Sequence, residues 1–373
     1  MSEFIVPMVK IQTVEKHPKA DRLDVVTIDG WQCVCGRDQF KIGDYAVYVP
    51  IDSILPPKLE EKIFAGSQMK RDGLNGRIKT VKIREFISQG LLLKPEQVGI
   101  RIGIGGPSSD YAFELGITKY EPPEPSFSHM PGAGKAKKRR RDNPGFHKFT
   151  DLQNIKWYPQ LFKDGELVVM TEKIHGSSWR AVLAPFDAAT WQRRLLQKLG
   201  LAPKFEFCWG SRMVQLQNKG YGGWFAKRAG ADVYREAFEK YSIKDKLKPG
   251  ETVFGEVYGA KIQKGYMYDC GEGERQLVIF DVHRNGRWLD PLELQRWCED
   301  RGLNSVPVIY IGPFSQSALK AATEGASVMA PSQKVREGVV VRSLQENAVE
   351  HFGRKMLKSI NPQYLLDDNT DFH

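Results

Sequence analysis

The sequence of 373 residues has no long hydrophobic run: nothing approaches the roughly 18 consecutive apolar residues of a membrane-spanning helix. Its opening, MSEFIVPMVK, has neither a basic leader nor an extended apolar stretch, so it does not read as a secretory signal. The expectation is a soluble cytoplasmic chain with no membrane partner; in a eukaryotic source, the basic run described below would serve as a nuclear address. Cysteine is scarce. Cys33, Cys35, Cys208, Cys270 and Cys298 contain no CxxC pair, which argues against a zinc ribbon, a redox dithiol or a disulfide framework. Cys33 and Cys35 would face the same way in a strand over WQCVCG, where packing is the simplest role and metal binding the lesser alternative. Acidic residues fall short of basic ones, 45 against 55, and the net charge of +10 favours a polyanionic partner. Half of that excess sits in GKAKKRRRDNPG, residues 134–145, with six basic residues and one acid. Such a run is equally at home as a solvated linker.

What is present divides the chain into three. From Ile5 to about Gln97, short strand-like pieces such as DVVTIDG, QCVCG, DYAVYVP and RIKTVKI alternate with turn signals, the pattern of a small β-barrel. The stretches EKHPKADRLDVVTIDGW and FKIGDYAVYVPIDSILP resemble the OB-fold modules attached to RNA enzymes and tRNA-binding proteins. A barrel of that kind offers a groove for a nucleic-acid backbone, with Lys16, Lys19 and Arg22 available to phosphates; the same three residues are also ordinary in turns. Glycine, proline and serine then accumulate (IGIGGPSSD, EPPEPSFSHMPGAG), as in a linker. Beyond it, strands (ELVVMTEKI, SWRAVLA, EFCWG, TVFGEVYG, QLVIFDV, GVVVRS) mix with the helix-like TWQRRLLQKLG and PLELQRWCEDRG, which favours an α+β domain with antiparallel sheets. The expected division is a barrel over residues 1–98, a linker over 99–148 and a second domain over 149–373.

The segment TEKIHGSSWRA, from Thr171 to Ala181, ends an apolar strand-like run in a lysine. A half-buried ammonium must be paired or lose its proton, and use of the amine as a nucleophile is one reason to keep it there. Lys173 attacking a nucleotide α-phosphate would form a phosphoramidate, with Gly176 letting the backbone approach the nucleotide. On its own, K-x-H-G equally describes a surface lysine beside a satisfied histidine. Other residues follow in order. GSR places Arg212 after a strand, where its guanidinium can fork onto a phosphate. FGEVYG sets Glu256 between glycines, able to accept hydrogen bonds from ribose hydroxyls, and LVIFDV offers Phe280 as a flat partner for a purine. REGVVVR puts Glu337 ahead of a buried-type strand, where a carboxylate can bind a hard divalent ion. GRKMLKSINPQYL supplies Lys355 and Lys358 to neutralise phosphate charge. Taken singly, each of these side chains is equally accounted for by an ion pair, core packing or solvation.

As an ordered set, EKIHG, GSR, FGEVYG, VIFDV, REGVVVR and RKMLKS resemble the motif series of the covalent nucleotidyltransferases, the superfamily of RNA ligases, DNA ligases and mRNA capping enzymes. The K-x-H-G form in place of K-x-D-G, and DLQNIKWYP ahead of it, look like RNA ligases. A barrel placed before the motifs is similar to the RNA ligase 5 family, whose members seal nicks in duplexes. The fold implied is an N-terminal all-β OB-like barrel plus a C-terminal α+β nucleotidyltransferase domain, ATP-grasp-like, with antiparallel sheets. The activity implied is that of an ATP-dependent RNA ligase using Mg2+ or Mn2+, working as a monomer on nicked duplex RNA or an RNA/DNA hybrid. By this resemblance Lys173 and Lys358 are catalytic, and Glu172, Ile174, Arg212, Glu256, Phe280 and Lys355 bind the nucleotide. Glu337 and His175 take the metal, and Lys16, Lys19, Arg22, Lys156 and Arg212 the nucleic acid. Many of these ligases carry two lysines separated by one residue in the last motif, whereas Lys358 is followed by Ser359 and Ile360; the second lysine's duty falls to Lys355 or is absent. A GTP-dependent capping-type guanylyltransferase and a non-catalytic RNA-binding protein are the alternatives.

Overall fold

The computed structural model describes residues 4–65, 76–101, 109–120, 142–188, 190–212, 215–216, 232–263 and 265–367. Contacts divide the chain into two units: Met1–Glu124 with Gln153–Leu161 and Ile360–His373, and Pro125–Leu152 with Phe162–Ser359. Two segments that the sequence pattern assigns to the second domain, 153–161 and 360–373, therefore belong to the first unit. Most of the basic run, residues 134–141, lies outside the described residues.

In the first unit, antiparallel strands β1 (Met8–Lys10), β2 (Thr13–Lys16), β3 (Leu23–Ile28), β4 (Trp31–Gly36) and β5 (Tyr45–Val49) are joined by β6 (Ser53–Ile54), β7 (Thr80–Ile83), β8 (Phe86–Gln89) and β9 (Leu91–Leu93). The β3–β4 hairpin turns at Asp29 and Gly30, whose φ of 42° and 78° supply the left-handed pair that a tight turn between twisted strands demands. Along β5 the side chains alternate between two cores. Ala46 and Tyr48 pack with Val26, Ile28 and Trp31, while Val47 and Val49 pack with Val6, Met8 and Leu93. Strand β5 is thus buried on both faces, at the centre of the three-stranded sheet β1–β5–β9. Cys33 lies in the first of these cores, and burial pushes its thiol, and that of Cys35, up to about 12. Both pack into that core, and thiols raised in this way disfavour the thiolate form.

The second unit holds two antiparallel sheets. One orders β17 (Met356–Ile360), β16 (Gly338–Ser343), β10 (Leu167–Glu172) and β15 (Val308–Pro313); the other has β12 (Phe205–Ser211), β11 (Ser177–Pro185), β13 (Thr252–Gly259) and β14 (Arg275–Arg284) as its long strands. Helices α1 (Trp191–Lys198), α2 (Asp232–Lys240), α3 (Pro291–Glu299) and α4 (Gln316–Thr323) complete it. In the second sheet Trp179, Val253, Val257, Leu277 and Ile279 turn to one face and form the core with Leu294 and Trp297 of α3. The alternate residues Ser178, Arg180, Phe254 and Glu256 are thereby left on the opposite face. The two sheets are tied by a buried ion-pair cluster. Asp281 of β14, fully buried, meets Arg342 of β16 at 3.5 Å and Arg354 at 2.8 Å, and Glu346 completes the charge balance. Removing one member would strand a buried charge, so the cluster holds the sheets in one relation. Among the described residues no helix is long and apolar enough to cross a membrane.

Candidate active site

Strand β10 delivers Lys173 at its end, and the pairing Glu172↔Val339 brings the residue before β16, Glu337, beside it. The Lys173 N–H donates to Gly338 O at 3.0 Å, and its Nζ donates to Glu337 Oε1 at 2.5 Å. The lysine side chain keeps 25% of its surface and the glutamate 8%, so the lysine is the more open partner of the pair. His175, itself buried, places Nδ1 3.9 Å from the other Glu337 oxygen. Glu256 is set opposite by the register Ser178↔Glu256. Burial pushes its carboxyl up to about 8; Lys173 pulls it down, Glu337 pushes it up, and Arg212 and the Gly176 backbone pull it down further. A side chain at Gly176 would place its Cβ 2.4 Å from Val257 O and 2.8 Å from Glu256 Cγ. This glycine serves the close approach of two strands.

Arg212 stands at the end of β12 and is half exposed, paired with Asp151. Its neighbourhood is set by Arg180, which is 2% exposed and donates to the carbonyls of Ser211 and Phe146 at 3.1 Å and to that of His147. Burial pulls the Arg180 guanidinium down to about 10, with Asp142 acting upward. Segment 146–151 is thus strapped across the free face of the sheet. Phe280 is half-buried on that segment: its ring meets Phe149 edge-on at 4.9 Å, and Phe149 touches Phe254 and Trp288 as well. Phe280 so ends an aromatic wall with Arg354 lying 3.8 Å over Trp288 behind it.

Other expected residues fall elsewhere. Lys355 donates to Glu166 Oε2 at 2.7 Å. Glu166 precedes β10 and Lys173 follows it, so about 20 Å of strand separates the two lysines; Lys355 is not gathered into the site. The Glu166 carboxyl, though burial acts upward, is held below its usual range by that lysine and its other donors. Glu172 is buried, and its Oε2 accepts from the backbone N–H of Val328 at 2.8 Å and of Met329 at 3.4 Å, which anchors that loop. Ile174 is core. Lys358 is half-buried on β17; its neighbour Ser359 meets Thr323 of α4 at 2.8 Å, so alternation turns Lys358 to the face away from α4. In the first unit Lys16 and Arg22 are exposed and Lys19 pairs with Glu85. Lys156 is not a surface contact: it donates to Gln89 Oε1 at 2.7 Å, lies 4.5 Å over the Trp31 ring, and burial pulls it down to about 8 against the upward effect of Cys33.

A clamp that no motif announces holds the loop after Lys173. Tyr268 Oη accepts from the His175 N–H at 2.7 Å, Gln263 Nε2 donates to Gly176 O at 3.2 Å, and the Tyr266 ring meets His175 edge-on at 5.1 Å. Tyr268 and Asp269 hold φ of 50° and 56°, a left-handed pair of non-glycine residues next to the site. GYMYDC offers only an aromatic pair two residues apart as a signal.

The donor set fits a divalent cation. Glu337 Oε2 is buried with no hydrogen-bond partner among the described residues, and such an orphan oxygen suits a hard ion. The described residues contain no group of three or more potential metal ligands. A metal here would therefore lean on water and substrate phosphates, as magnesium ordinarily does.

A family model for RNA ligases matches residues 166–360, and one for an OB-fold domain matches residues 5–95. The chain belongs to the RNA ligase family. Its N-terminal unit carries an OB-fold domain, and its second unit the RNA ligase domain with antiparallel sheets. Solved structures of an RNA ligase from Naegleria gruberi share the fold at 20% identity, over 97% of this chain and 98% of theirs. A lysine-to-alanine mutant with ATP and Mn superposes with a TM-score of 0.71, the ligase with PPi with 0.70, and a lysine-to-methionine mutant with AMP and Mn with 0.69. No curated protein matches the sequence. The ligase match encloses Lys173, Arg212, Glu256, Phe280, Glu337 and Lys358, and the OB-fold match encloses Lys16, Lys19 and Arg22; Lys156 falls outside both.

Proposed function

We propose that this RNA ligase uses ATP to join a 3′-hydroxyl to a 5′-phosphate, at nicks in duplex RNA or RNA/DNA hybrids, through a covalent lysyl-AMP. The observation that carries the reading is the Lys173 amine, paired at 2.5 Å with buried Glu337 at the partly open end of a strand, with Glu256 across from it. The Naegleria ligase structures support it: they are complexes with ATP and Mn, with AMP and Mn, and with PPi, which are the substrate, transferred group and leaving group of such a first step.

In the first step Lys173 Nζ forms a bond to the α-phosphorus of ATP, the bond to the bridging oxygen breaks, and pyrophosphate leaves. Glu337 holds the ammonium beforehand and is placed to receive its proton. In the second step an oxygen of the RNA 5′-phosphate attacks the same phosphorus and frees the lysine. In the third the 3′-hydroxyl attacks the 5′-phosphorus and AMP departs. These are displacements at phosphorus, so orientation and charge neutralisation carry most of the rate. Glu256 accepts from the ribose, Phe280 faces the base at the end of its aromatic wall, Arg212 exchanges Asp151 for the 5′-phosphate, and Lys358 offsets charge on the leaving group. Glu337, with His175 nearby, would hold the magnesium or manganese, which supplies Lewis-acid neutralisation of phosphate oxygens.

The test is incubation with α-labelled ATP and either metal, followed by a denaturing gel. The protein acquires a label stable to base and removed by acid, and Lys173→Ala acquires none. A wild-type chain that takes no label from ATP refutes the reading; a label taken from GTP instead turns it into a guanylyltransferase.

A further inference from the structure

Six of the thirteen large apolar side chains exposed among the described residues lie within fifteen positions: Trp191, Leu195, Leu196, Leu199, Leu201 and Phe205. They belong to α1, the turn after it and the first residue of β12. Trp191, Leu195 and Leu199 recur every four residues and so share one face, 71%, 47% and 60% exposed respectively. An amphipathic helix ordinarily turns such a stripe to the core. Here the anchored face is a different one. Arg193 stacks on Phe186 at 3.9 Å and donates to Asp187 O and to Glu206 Oε2, at 2.5 Å in the latter case; Arg194 donates to Ala188 O at 3.2 Å. Thr190 caps the start, and Gly200, at φ 67°, ends the helix with Leu201 N–H on Leu196 O at 2.9 Å. The helix is therefore fixed with its apolar stripe outward, which marks a contact surface.

Charge decides the partner. Between Asp187 and Glu206 the sequence holds no acid, and Arg194 and Lys198 run along one flank of the stripe, with Lys204 beyond it. Arg193 is neutralised by Glu206; the flanking cations have no such carboxylate beside them in sequence. A second copy of this surface would bring cations against cations. A nucleic acid would satisfy the cations and leave the leucines against phosphate. Gln192 also lies within the apolar arc, exposed, and its amide suits a peptide backbone better than acyl chains. We propose that α1 is the docking surface for an acidic segment of another protein that carries apolar anchors between its carboxylates. The surface is remote from the chemistry: β11 begins beside the nucleophile loop and ends, about 30 Å of strand later, where α1 is attached. Docking there tethers the enzyme without covering Lys173.

The probe is a labelled synthetic peptide in which glutamates alternate with leucine and phenylalanine, titrated into the full chain and followed by anisotropy. Saturable binding is expected, weakened about tenfold or more by Leu195→Asp with Leu199→Asp, and also by Arg194→Glu with Lys198→Glu. A peptide with lysines in place of the glutamates should bind poorly. Lysyl-AMP formation stays unchanged in both variants, which shows them folded. Absence of saturable binding, or binding by either variant as tight as that of the unmodified chain, overturns the proposal. So does tighter binding through the same residues to phosphatidylserine vesicles or to RNA.

Discussion

The hydroxyl of Tyr268 holds the loop after Lys173 from a distant part of the chain. It accepts the N–H of buried His175 from 93 positions away, and it stays in place although Tyr268 and Asp269 sit in the left-handed region. Backbone of that kind costs about 1–3 kcal/mol at a bulky residue and persists only when its surroundings hold it. In Tyr268→Phe a buried donor is left unmet, at roughly 1–3 kcal/mol, and the segment carrying Lys173 loosens. Lysyl-AMP formation should slow about ten- to hundredfold, because small misplacements at a displacement centre are amplified. Sealing of a strand supplied already adenylylated does not use the lysine as nucleophile and should keep its rate. Equal rates of lysyl-AMP formation in the two proteins would remove Tyr268 from the mechanism. The convergence of Lys173, Glu256 and Glu337 was legible because each is a polar residue of defined chemistry against an apolar strand: Lys173 and Glu337 at a strand's margin, Glu256 within one between two glycines. Tyr268 was not: it acts through a backbone partner far along the chain, and tyrosine is common in cores. Lys355 and Lys156 were misread for a related reason. Their charge is written in the sequence, but their partners, Glu166 for one and Gln89 with Trp31 for the other, are long-range contacts.

At the scale of elements, the strands of both units were readable from alternation and from turn residues, and so was the α+β mixture of the second. The long strands β11, β13 and β14 carry apolar residues inward and site residues outward on one period of two. Their junction is less tolerant than the pattern shows. Gly176 connects β10 to β11 where the carbonyl of Val257 occupies the space of a side chain. Its flexibility was legible as an allowance for nucleotide, yet the constraint comes from the neighbouring strand, which only the register Ser177↔Val257 reveals. Gly176→Ala forces that pair apart and should cost about 1–3 kcal/mol in stability, read as a lowered midpoint in urea. It also displaces Glu256 from the lysine, so lysyl-AMP formation falls together with stability. A stable, fully active Gly176→Ala protein would mean that the two strands are not held this closely.

Across the whole molecule the chain leaves and re-enters its first unit, and this decides how the OB-fold domain can be tested. Residues 153–161 belong to that unit: the Trp157 ring lies 5.6 Å from Trp31 and 5.8 Å from Tyr48. Deleting residues 1–98 would strip Trp157 of those partners and confuse misfolding with lost RNA contact. Substitution of exposed cations is the cleaner route. Lys16 ends β2 and Arg22 precedes β3, both exposed, and Lys19 is held only by an exposed pair with Glu85, worth about 0–1 kcal/mol and readily exchanged for a phosphate. If all three contact phosphates, each releases close to one counterion, and the slope of log affinity against log salt for a nicked duplex should become shallower by about two to three in the triple alanine variant. Affinity falls most at low salt, where the released counterions count most. Lysyl-AMP formation needs no polynucleotide and should be unaffected, which separates a binding defect from damage to the ligase domain. An unchanged slope would take the duplex off this face of the barrel and leave the remaining positive charge of the chain to hold it.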